Sequence, residues 1–315
     1  MSIIEKAAQR LEQLRQAGVE IDDGVKAPAP AEQRHAPARH VPAEPTEAAP
    51  AAKAPFPMEQ GQALQRASAT CVEVDLVRLA ATGIVTPNAP RSHIADEFRV
   101  IKRPLIANAM GRGAAPVKNG NLIMITSALP GEGKSFTAIN LAMSIAMELD
   151  NTVLLADADV ARPSVLTTLG VAPAKGLLDV LTDDSLDLGQ VLLRTNVEKL
   201  TLLPSGTPHQ RATELLASDA MASLLEEMAS RYSDRIIVFD SPPLLVTTEA
   251  RVLASHMGQV VVVVEADSTT HGDVRQALAT IEQCPVKMVM LNKSRTVGEG
   301  GYYGYYGYQG YQHAG

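Results

Sequence analysis

The sequence predicts an α/β domain with a mostly parallel sheet covered by helices on both faces. From residue 121 onward, continuously apolar runs such as Gln259–Glu265 alternate with segments of helical pattern. Parallel strands are buried on both faces and need helical crossovers, so this alternation is typical of them. A glycine-rich turn follows the first run and acidic residues follow two others. Because ligands of such sheets bind at the carboxyl ends of the strands, we expect a binding site there.

The elements are predicted in chain order as follows. A helix upstream of the sheet spans residues 92–109, with Pro104 expected to kink or break it. The predicted strands are Leu122–Thr126, Thr152–Ala156, Leu200–Leu203, Arg235–Phe239, Gln259–Glu265 and Lys287–Leu291. The predicted helices between them are Ser135–Leu149, Ala220–Ser230 and Val274–Gln283.

Two segments of different character precede this domain. Residues 1–20 place apolar side chains such as Ile4 and Leu11 at helical spacing, which predicts an amphipathic helix. Its thin, alanine-rich apolar face favours docking on its own domain or on a protein over lipid. Residues 21–70 are rich in alanine and proline, with eight prolines from Pro28 onward. This composition cannot bury a core and predicts a disordered linker.

The folded domain is expected to span residues 71–295, followed by a flexible tail over residues 296–315. Six of the seven tyrosines lie in this tail: Tyr302, Tyr303, Tyr305, Tyr306, Tyr308 and Tyr311. Glycines interleaved with them disfavour a stable helix or strand. The tail therefore resembles a tether carrying exposed phenol hydroxyls.

Composition excludes several classes of protein. The net charge of −7 and the pI near 5.5 argue against a nucleic-acid-binding surface. Cys71 and Cys284 fit no metal-ligand spacing and favour a reduced, cytoplasmic protein. The N-terminus lacks the apolar centre of a signal peptide, and no run approaches the roughly 20 apolar residues that span a bilayer.

A phosphate-binding loop directly follows the first predicted strand and precedes a helix, as such a loop requires. The residues expected to contact a nucleotide are Pro130, Gly131, Glu132, Gly133, Lys134, Ser135 and Phe136. Glycines let the backbone N–H groups turn toward phosphates, and the helix N-terminus adds its positive dipole end. We expect Lys134 to bridge the β- and γ-phosphates of ATP and the Ser135 hydroxyl to bind Mg²⁺. Ala128 replaces the first glycine of the general pattern, which a negative φ would permit.

Acidic residues follow two of the apolar strands. Asp157 and Asp159 come after Thr152–Ala156, and Asp240 comes after Arg235–Phe239. A carboxylate in this position is costly unless it meets a cation or accepts hydrogen bonds, and Mg²⁺ on ATP is such a cation. Of Asp157 and Asp159, which share one face, one could accept a proton from an incoming hydroxyl and the other could hold metal-bound water. The predicted metal-binding residues are Ser135, Asp159 and Asp240.

Together these motifs resemble the bacterial tyrosine autokinases of exopolysaccharide export. The resemblance covers residues 121–311 and consists of the PGEGKS loop, the DxD motif, the DSPP motif at Asp240 and the tyrosine cluster. It implies a P-loop NTPase fold and transfer of phosphate from ATP to the tail tyrosines, with Lys134, Asp157, Asp159 and Arg162 as catalytic residues. It also places Asn292 at the adenine, although an Asn that closes a strand is often a turn residue. Ala161 stands where the family often has a second arginine.

The resemblance further implies partners. Asp96, Arg99 and Lys102 stand in the register that joins neighbouring subunits into a ring, with a frame using Glu97 and Arg103 as the alternative. The N-terminal segment and residues 101–109 resemble the soluble subgroup of exosortase-associated loci. That subgroup implies a membrane-anchored, Wzz-like chain-length regulator that recruits the kinase to the inner membrane, and a phosphotyrosine phosphatase.

Two other classes share the predicted fold. Partition and septum-positioning ATPases of the ParA and MinD type carry an extra lysine early in the loop, where Leu129 stands here, and they lack a tyrosine tail. A scaffold in which ATP controls only oligomerisation is the other alternative. The tail and Leu129 favour the kinase.

Overall fold

One sheet of eight strands forms the centre of the computed structural model, which describes residues 70–88, 92–232 and 234–294. The strands are β1 Thr70–Val72, β2 Leu122–Ser127, β3 Thr152–Asp157, β4 Leu193–Thr195, β5 Leu200–Leu203, β6 Arg235–Asp240, β7 Gln259–Glu265 and β8 Val286–Asn292. Their spatial order is β1-β4-β5-β3-β6-β2-β7-β8. All neighbours pair in parallel except β4 and β5.

Ten helices cover the two faces of the sheet within the described ranges. They are α1 Leu76–Ala81, α2 His93–Ala109, α3 Lys134–Ala146, α4 Val165–Leu169, α5 Leu177–Thr182, α6 Leu188–Val191, α7 Ala212–Leu216, α8 Asp219–Arg231, α9 Glu249–Ser255 and α10 His271–Ala279. In the part of the chain that the structure describes, no helix combines the length and apolar character needed to cross a membrane.

Two apolar cores lie on opposite faces of the sheet, because side chains alternate along each strand. Leu122 and Met124 of β2 pack into one core, and Ile123 and Ile125 pack into the other. All four side chains are fully buried. This burial on both faces explains why the central strands are continuously apolar.

The predicted central strands are confirmed, and β7 has the predicted bounds. Strands β1 and β4 were not predicted; they have three residues each and lie at one edge of the sheet. Helix α2 continues through Pro104 as one helix of 17 residues. The predicted N-terminal helix, the linker up to residue 69 and the tyrosine tail lie outside the described residues.

Lys102, one of the predicted oligomer contacts, is buried within its own domain. Its ammonium donates to the Ser144 carbonyl at 2.5 Å and pairs with Glu148 at 2.7 Å, and its side chain is only 5% exposed. Lys102 shares a helix face with Phe98 and Leu105, the buried residues of α2, because their spacings are four and three. The interior of the domain therefore holds Lys102. Asp96 and Arg99 remain exposed and form an ion pair with each other.

Candidate active site

The phosphate-binding loop connects the end of β2 to the start of α3, as predicted. Gly131 and Gly133 have φ values of +89° and +97°, in the left-handed region that favours glycine. Ala128 is not among the four non-glycine residues with positive φ in the described part, so alanine is accommodated there. The loop has the backbone shape that turns N–H groups toward an anion, at the N-terminus of a 13-residue helix.

Lys134, the first residue of α3, forms a buried ion pair. Its ammonium lies 2.6 Å from Asp159 Oδ2, and the two side chains are 12% and 5% exposed. Asp159 Oδ1 also accepts a hydrogen bond from the backbone N–H of Arg162 at 3.1 Å. The DxD motif is therefore joined to the phosphate loop through a pair of opposite charges.

Asp157 ends β3 and binds backbone groups of the following turn. Its Oδ2 accepts hydrogen bonds from the N–H groups of Ser164 and Val165, both at 3.0 Å. Desolvation raises the pKa of Asp157 to about 7, and the nearby carboxylate of Asp240 adds to the shift. A carboxylate that titrates near neutral pH is suited to accept a proton.

Asp240 ends β6 beside Asp157, because the two residues pair across β3 and β6. It is fully buried, and neither carboxylate oxygen has a hydrogen-bond partner among the described residues. Desolvation raises the pKa of Asp240 to about 6, opposed by the charge of Lys134 and by the nearby hydroxyls of Ser135 and Ser164, which lie outside hydrogen-bonding geometry. A buried carboxylate without a partner is costly and fits a cation.

The chemistry of these side chains suits a metal that shares its ligands with a nucleotide. Among the described residues, no group of three or more His, Cys, Asp or Glu side chains could hold a metal alone. Mg²⁺ keeps several waters and binds through one or two protein oxygens plus phosphates. Ser135 and Asp240, with Asp159 nearby, fit such a site.

The other predicted site residues differ in how far their side chains are exposed to solvent. Pro130 and the side chain of Arg162 are exposed, and Phe136 packs against one of the apolar cores. Asn292, at the end of β8, donates its amide to the Glu132 carbonyl at 2.8 Å. The structure therefore brings Asn292 to the phosphate loop.

The hydrogen-bond partners of the Glu132 carboxylate were not predicted from the sequence. Its carboxylate accepts the N–H of Leu129 at 2.6 Å and the hydroxyl of Thr269. Thr269 lies 137 residues away in the chain, after β7, and carries no motif that would have indicated this contact. The contact of the Ser164 N–H with Asp157 was not predicted either, although Ser164 lies only five residues after the DxD motif.

Comparisons with known proteins agree with this fold. The family model described as AAA domain matches residues 120–294. Tyrosine-protein kinase YwqD of Bacillus subtilis is 31% identical over 224 residues, which are 70% of this chain and 90% of YwqD. Tyrosine-protein kinase CpsD of Streptococcus agalactiae is 33% identical over 194 residues, 59% of this chain and 82% of CpsD. The structure of the VpsO kinase domain has a TM-score of 0.52 at 27% identity, covering 65% of this chain and 100% of that domain.

The fold and the loop define a P-loop NTPase with an AAA domain. Within that class, the chain belongs to the bacterial protein-tyrosine kinases, the ATP-dependent tyrosine autokinases of capsule and exopolysaccharide synthesis. The predicted family, fold class and enzyme class are confirmed. The chain spans only 22% of the putative tyrosine-protein kinase EpsB of Ralstonia solanacearum, so it matches one part of that longer relative.

Proposed function

We propose that this kinase uses Mg²⁺ and ATP to phosphorylate its own C-terminal tyrosines, between subunits, and thereby regulates exopolysaccharide polymerisation or export. One observation carries the proposal: the carboxylate of Asp240 is buried without a partner next to Lys134 and Ser135. Such a carboxylate supports a site completed by a metal and phosphates. The same chain holds six tyrosines within residues 302–311.

The proposed reaction transfers the γ-phosphoryl group of ATP to a tyrosine. The phenol oxygen forms a bond to the γ-phosphorus, and the bond from that phosphorus to the β–γ bridging oxygen breaks. ADP leaves with that electron pair, and the phenol proton passes to the carboxylate of Asp157. Bound Mg²⁺ would neutralise charge on the phosphates. Ser135 and Asp240 are the residues that would hold it.

Without a nucleotide, Lys134 pairs with Asp159, and the same ammonium is expected to bind the phosphates. Its ammonium pairs with Asp159 at 2.6 Å. When phosphates enter the loop, we expect this ammonium to turn toward them, because their charge exceeds that of one carboxylate. Asp159 is then released to bind metal or metal-bound water.

The tail is the proposed acceptor because the remaining tyrosine is inaccessible. Tyr232, at the end of α8, is only 5% exposed and packs in an apolar core. The tail from Asn292 to Tyr311 spans nineteen residues, at most about 63 Å when extended. This reach allows transfer within one chain or to a neighbour, and a ring assembled through the α2 surface favours the neighbour.

Three partners complete the proposal. A membrane-anchored, Wzz-like chain-length regulator recruits the cytoplasmic kinase to the inner membrane and activates it. A second copy of the chain makes the oligomer, for which Asp96 and Arg99 remain candidate contacts. A phosphotyrosine phosphatase resets the tail. The relatives include the succinoglycan biosynthesis transport protein ExoP, whose name supports a role beside polysaccharide export.

A mixing experiment tests the proposal. Full-length Lys134→Met chains supply tails without activity, and chains ending at residue 295 supply activity without tails. With ATP and Mg²⁺, we expect mass spectrometry to find phosphotyrosine on the Lys134→Met chains, within residues 302–311. Unmodified tails in the mixture, beside modified tails in wild-type protein, would contradict transfer between subunits. ATP hydrolysis without phosphotyrosine in wild-type protein would instead indicate an ATPase switch.

A further inference from the structure

Two consecutive residues at the end of β8 cap two consecutive carbonyls of the phosphate loop. The Asn292 amide donates to the Glu132 carbonyl at 2.8 Å, and the Lys293 ammonium donates to the Gly131 carbonyl at 2.7 Å. We propose that Asn292 and Lys293 form a clamp that holds the loop in its phosphate-binding shape. Both are positioning residues, and the inference rests on the proposed nucleotide site.

Capping these carbonyls determines where the loop N–H groups point. In a trans peptide the carbonyl and the following N–H point in opposite directions. The bond from Lys293 to the Gly131 carbonyl therefore orients the N–H of Glu132, and the bond from Asn292 to the Glu132 carbonyl orients the N–H of Gly133. Donors that are oriented before the phosphates arrive bind them without a reorganisation cost.

The amide of Asn292 also fits closely against Gly133. A Cβ atom at this position would overlap the Asn292 amide nitrogen. The φ of +97° favours glycine at position 133, and a side chain there would also displace the Asn292 amide from the loop. The contact places Asn292 on the loop backbone.

Further contacts hold the clamp itself. Lys293 pairs with Glu265 at 3.0 Å, and the Glu265 N–H donates to the Thr269 hydroxyl at 3.1 Å. That hydroxyl donates to Glu132, which is 2% exposed. The ends of β7 and β8 and the loop therefore form one closed network of hydrogen bonds.

Lys293 adopts an uncommon backbone conformation in this network. Its φ is +57°, in the left-handed region that few residues other than glycine enter. Such conformations persist where surrounding contacts determine them, and they cluster at ligand sites. The two contacts of its ammonium, with the Gly131 carbonyl and with Glu265, give a reason for a lysine to remain there.

The clamp and the adenine contact expected of Asn292 can be separated by the ligands whose affinity each of them affects. A residue that touches only the base affects the affinity for ATP and leaves the affinity for inorganic tripolyphosphate unchanged. A clamp that shapes the loop affects both, because both present a triphosphate. Dissociation constants of Mg²⁺–ATP and Mg²⁺–tripolyphosphate, measured by calorimetry on the full chain, separate the two roles.

We expect Asn292→Ala and Lys293→Met each to weaken both ligands by about tenfold, the usual effect of losing a hydrogen bond to a charged or buried group. Lys293→Arg keeps a donor and should stay within about twofold of wild type for both ligands. Lys287→Met is the matched control, because Lys287 caps the Glu282 and Cys284 carbonyls at the opposite end of β8. It should leave both affinities unchanged.

Two results would overturn the clamp. Weakened ATP binding with unchanged tripolyphosphate binding would make Asn292 a base contact, and unchanged affinities for both ligands in both variants would remove the role altogether.

The Lys293 side chain is 46% exposed, so its replacement should leave the domain folded, which thermal unfolding checks. Wild-type protein that bound neither ligand would instead contradict the proposed nucleotide site.

Discussion

Three aspartates at the active site have the same side chain and different partners. Asp159 neutralises Lys134, Asp157 accepts three backbone N–H groups, and Asp240 has no hydrogen-bond partner among the described residues. The sequence could indicate all three, because Asp157 and Asp240 directly follow apolar strands and Asp159 completes the DxD motif. It could not distinguish their roles, because the distinction depends on Lys134 and on a turn that returns to the strand ends only in the folded chain.

The role of Asp157 as proton acceptor gives a prediction for Asp157→Asn. An amide cannot accept the phenol proton, so we expect transfer to fall by about 10²- to 10⁴-fold. ATP affinity should be retained, because the proposed metal ligands and the phosphate loop are intact. Phosphotyrosine formation and calorimetric binding of ATP measure the two effects. A collapse of nucleotide affinity would make Asp157 chiefly a residue of the metal site.

The raised pKa values also predict how stability depends on pH without nucleotide. The folded protein keeps a proton on Asp157 up to about pH 7 and on Asp240 up to about pH 6, whereas the unfolded chain releases both near pH 4. The folded state therefore binds more protons between these limits, and the stabilisation is lost as the pH rises through 6 and 7. Thermal midpoints of the nucleotide-free protein should fall from pH 5.5 to pH 8.

The variant Asp240→Asn removes one of the two titrating groups and also the charge that helps to raise the pKa of Asp157. The asparagine cannot ionise, so the variant should lose less stability than wild type over the same pH range. Equal slopes in the two proteins would show that Asp240 is not protonated in the folded state.

At the scale of elements, the length and burial of each strand decided whether the sequence could predict it. Strands β2, β3, β6 and β7 are apolar throughout because both faces are covered, and this pattern identifies them. Strands β1 and β4 have only three residues each and produce no such pattern. Helix α2 was predicted, but the burial of the Lys102 side chain was not. A lysine is normally expected in solvent, yet its long aliphatic stem lets the ammonium reach a buried carbonyl.

Lys102 should stabilise the packing of α2 on the C-terminal end of α3. We expect Lys102→Met to lower the free energy of unfolding by about 2 kcal/mol, because a buried charged hydrogen bond is lost. The neighbouring Arg103 is exposed, so Arg103→Met should change it by less than about 0.5 kcal/mol. Chemical denaturation measures both values. Unchanged stability together with a smaller mass in light scattering would return Lys102 to the oligomer contact.

At the scale of the whole molecule, the sequence predicts the layers and leaves the order of the strands open. Strand β2 comes early in the described domain and lies between β6 and β7, and this crossover brings the phosphate loop beside Asp240. No local pattern specifies that arrangement, since it results from packing helices on both faces. The motif resemblance indicated that Asp240 belongs to the nucleotide site, but it gave no order of strands.

Charge predicts that phosphorylation separates the subunits. Six phosphotyrosines would add roughly −9 to −12 of charge, more than the net −7 of the unmodified chain. Repulsion between neighbouring tails is incompletely screened within about 8 Å at physiological salt. Light scattering should give an oligomer for the unmodified protein and a monomer for the modified one. Equal masses, under conditions where the unmodified protein is oligomeric, would contradict the charge mechanism.

The most direct test of the account compares wild-type protein with Lys134→Met. Each is incubated with ATP and Mg²⁺, phosphotyrosines are mapped by mass spectrometry, and circular dichroism checks the fold. Because Lys134 compensates the charge of the transferred phosphoryl group, wild type should carry phosphotyrosine within residues 302–311 and the folded variant should carry none. Phosphotyrosine on Lys134→Met near the wild-type level would contradict the assignment of this loop as the catalytic one.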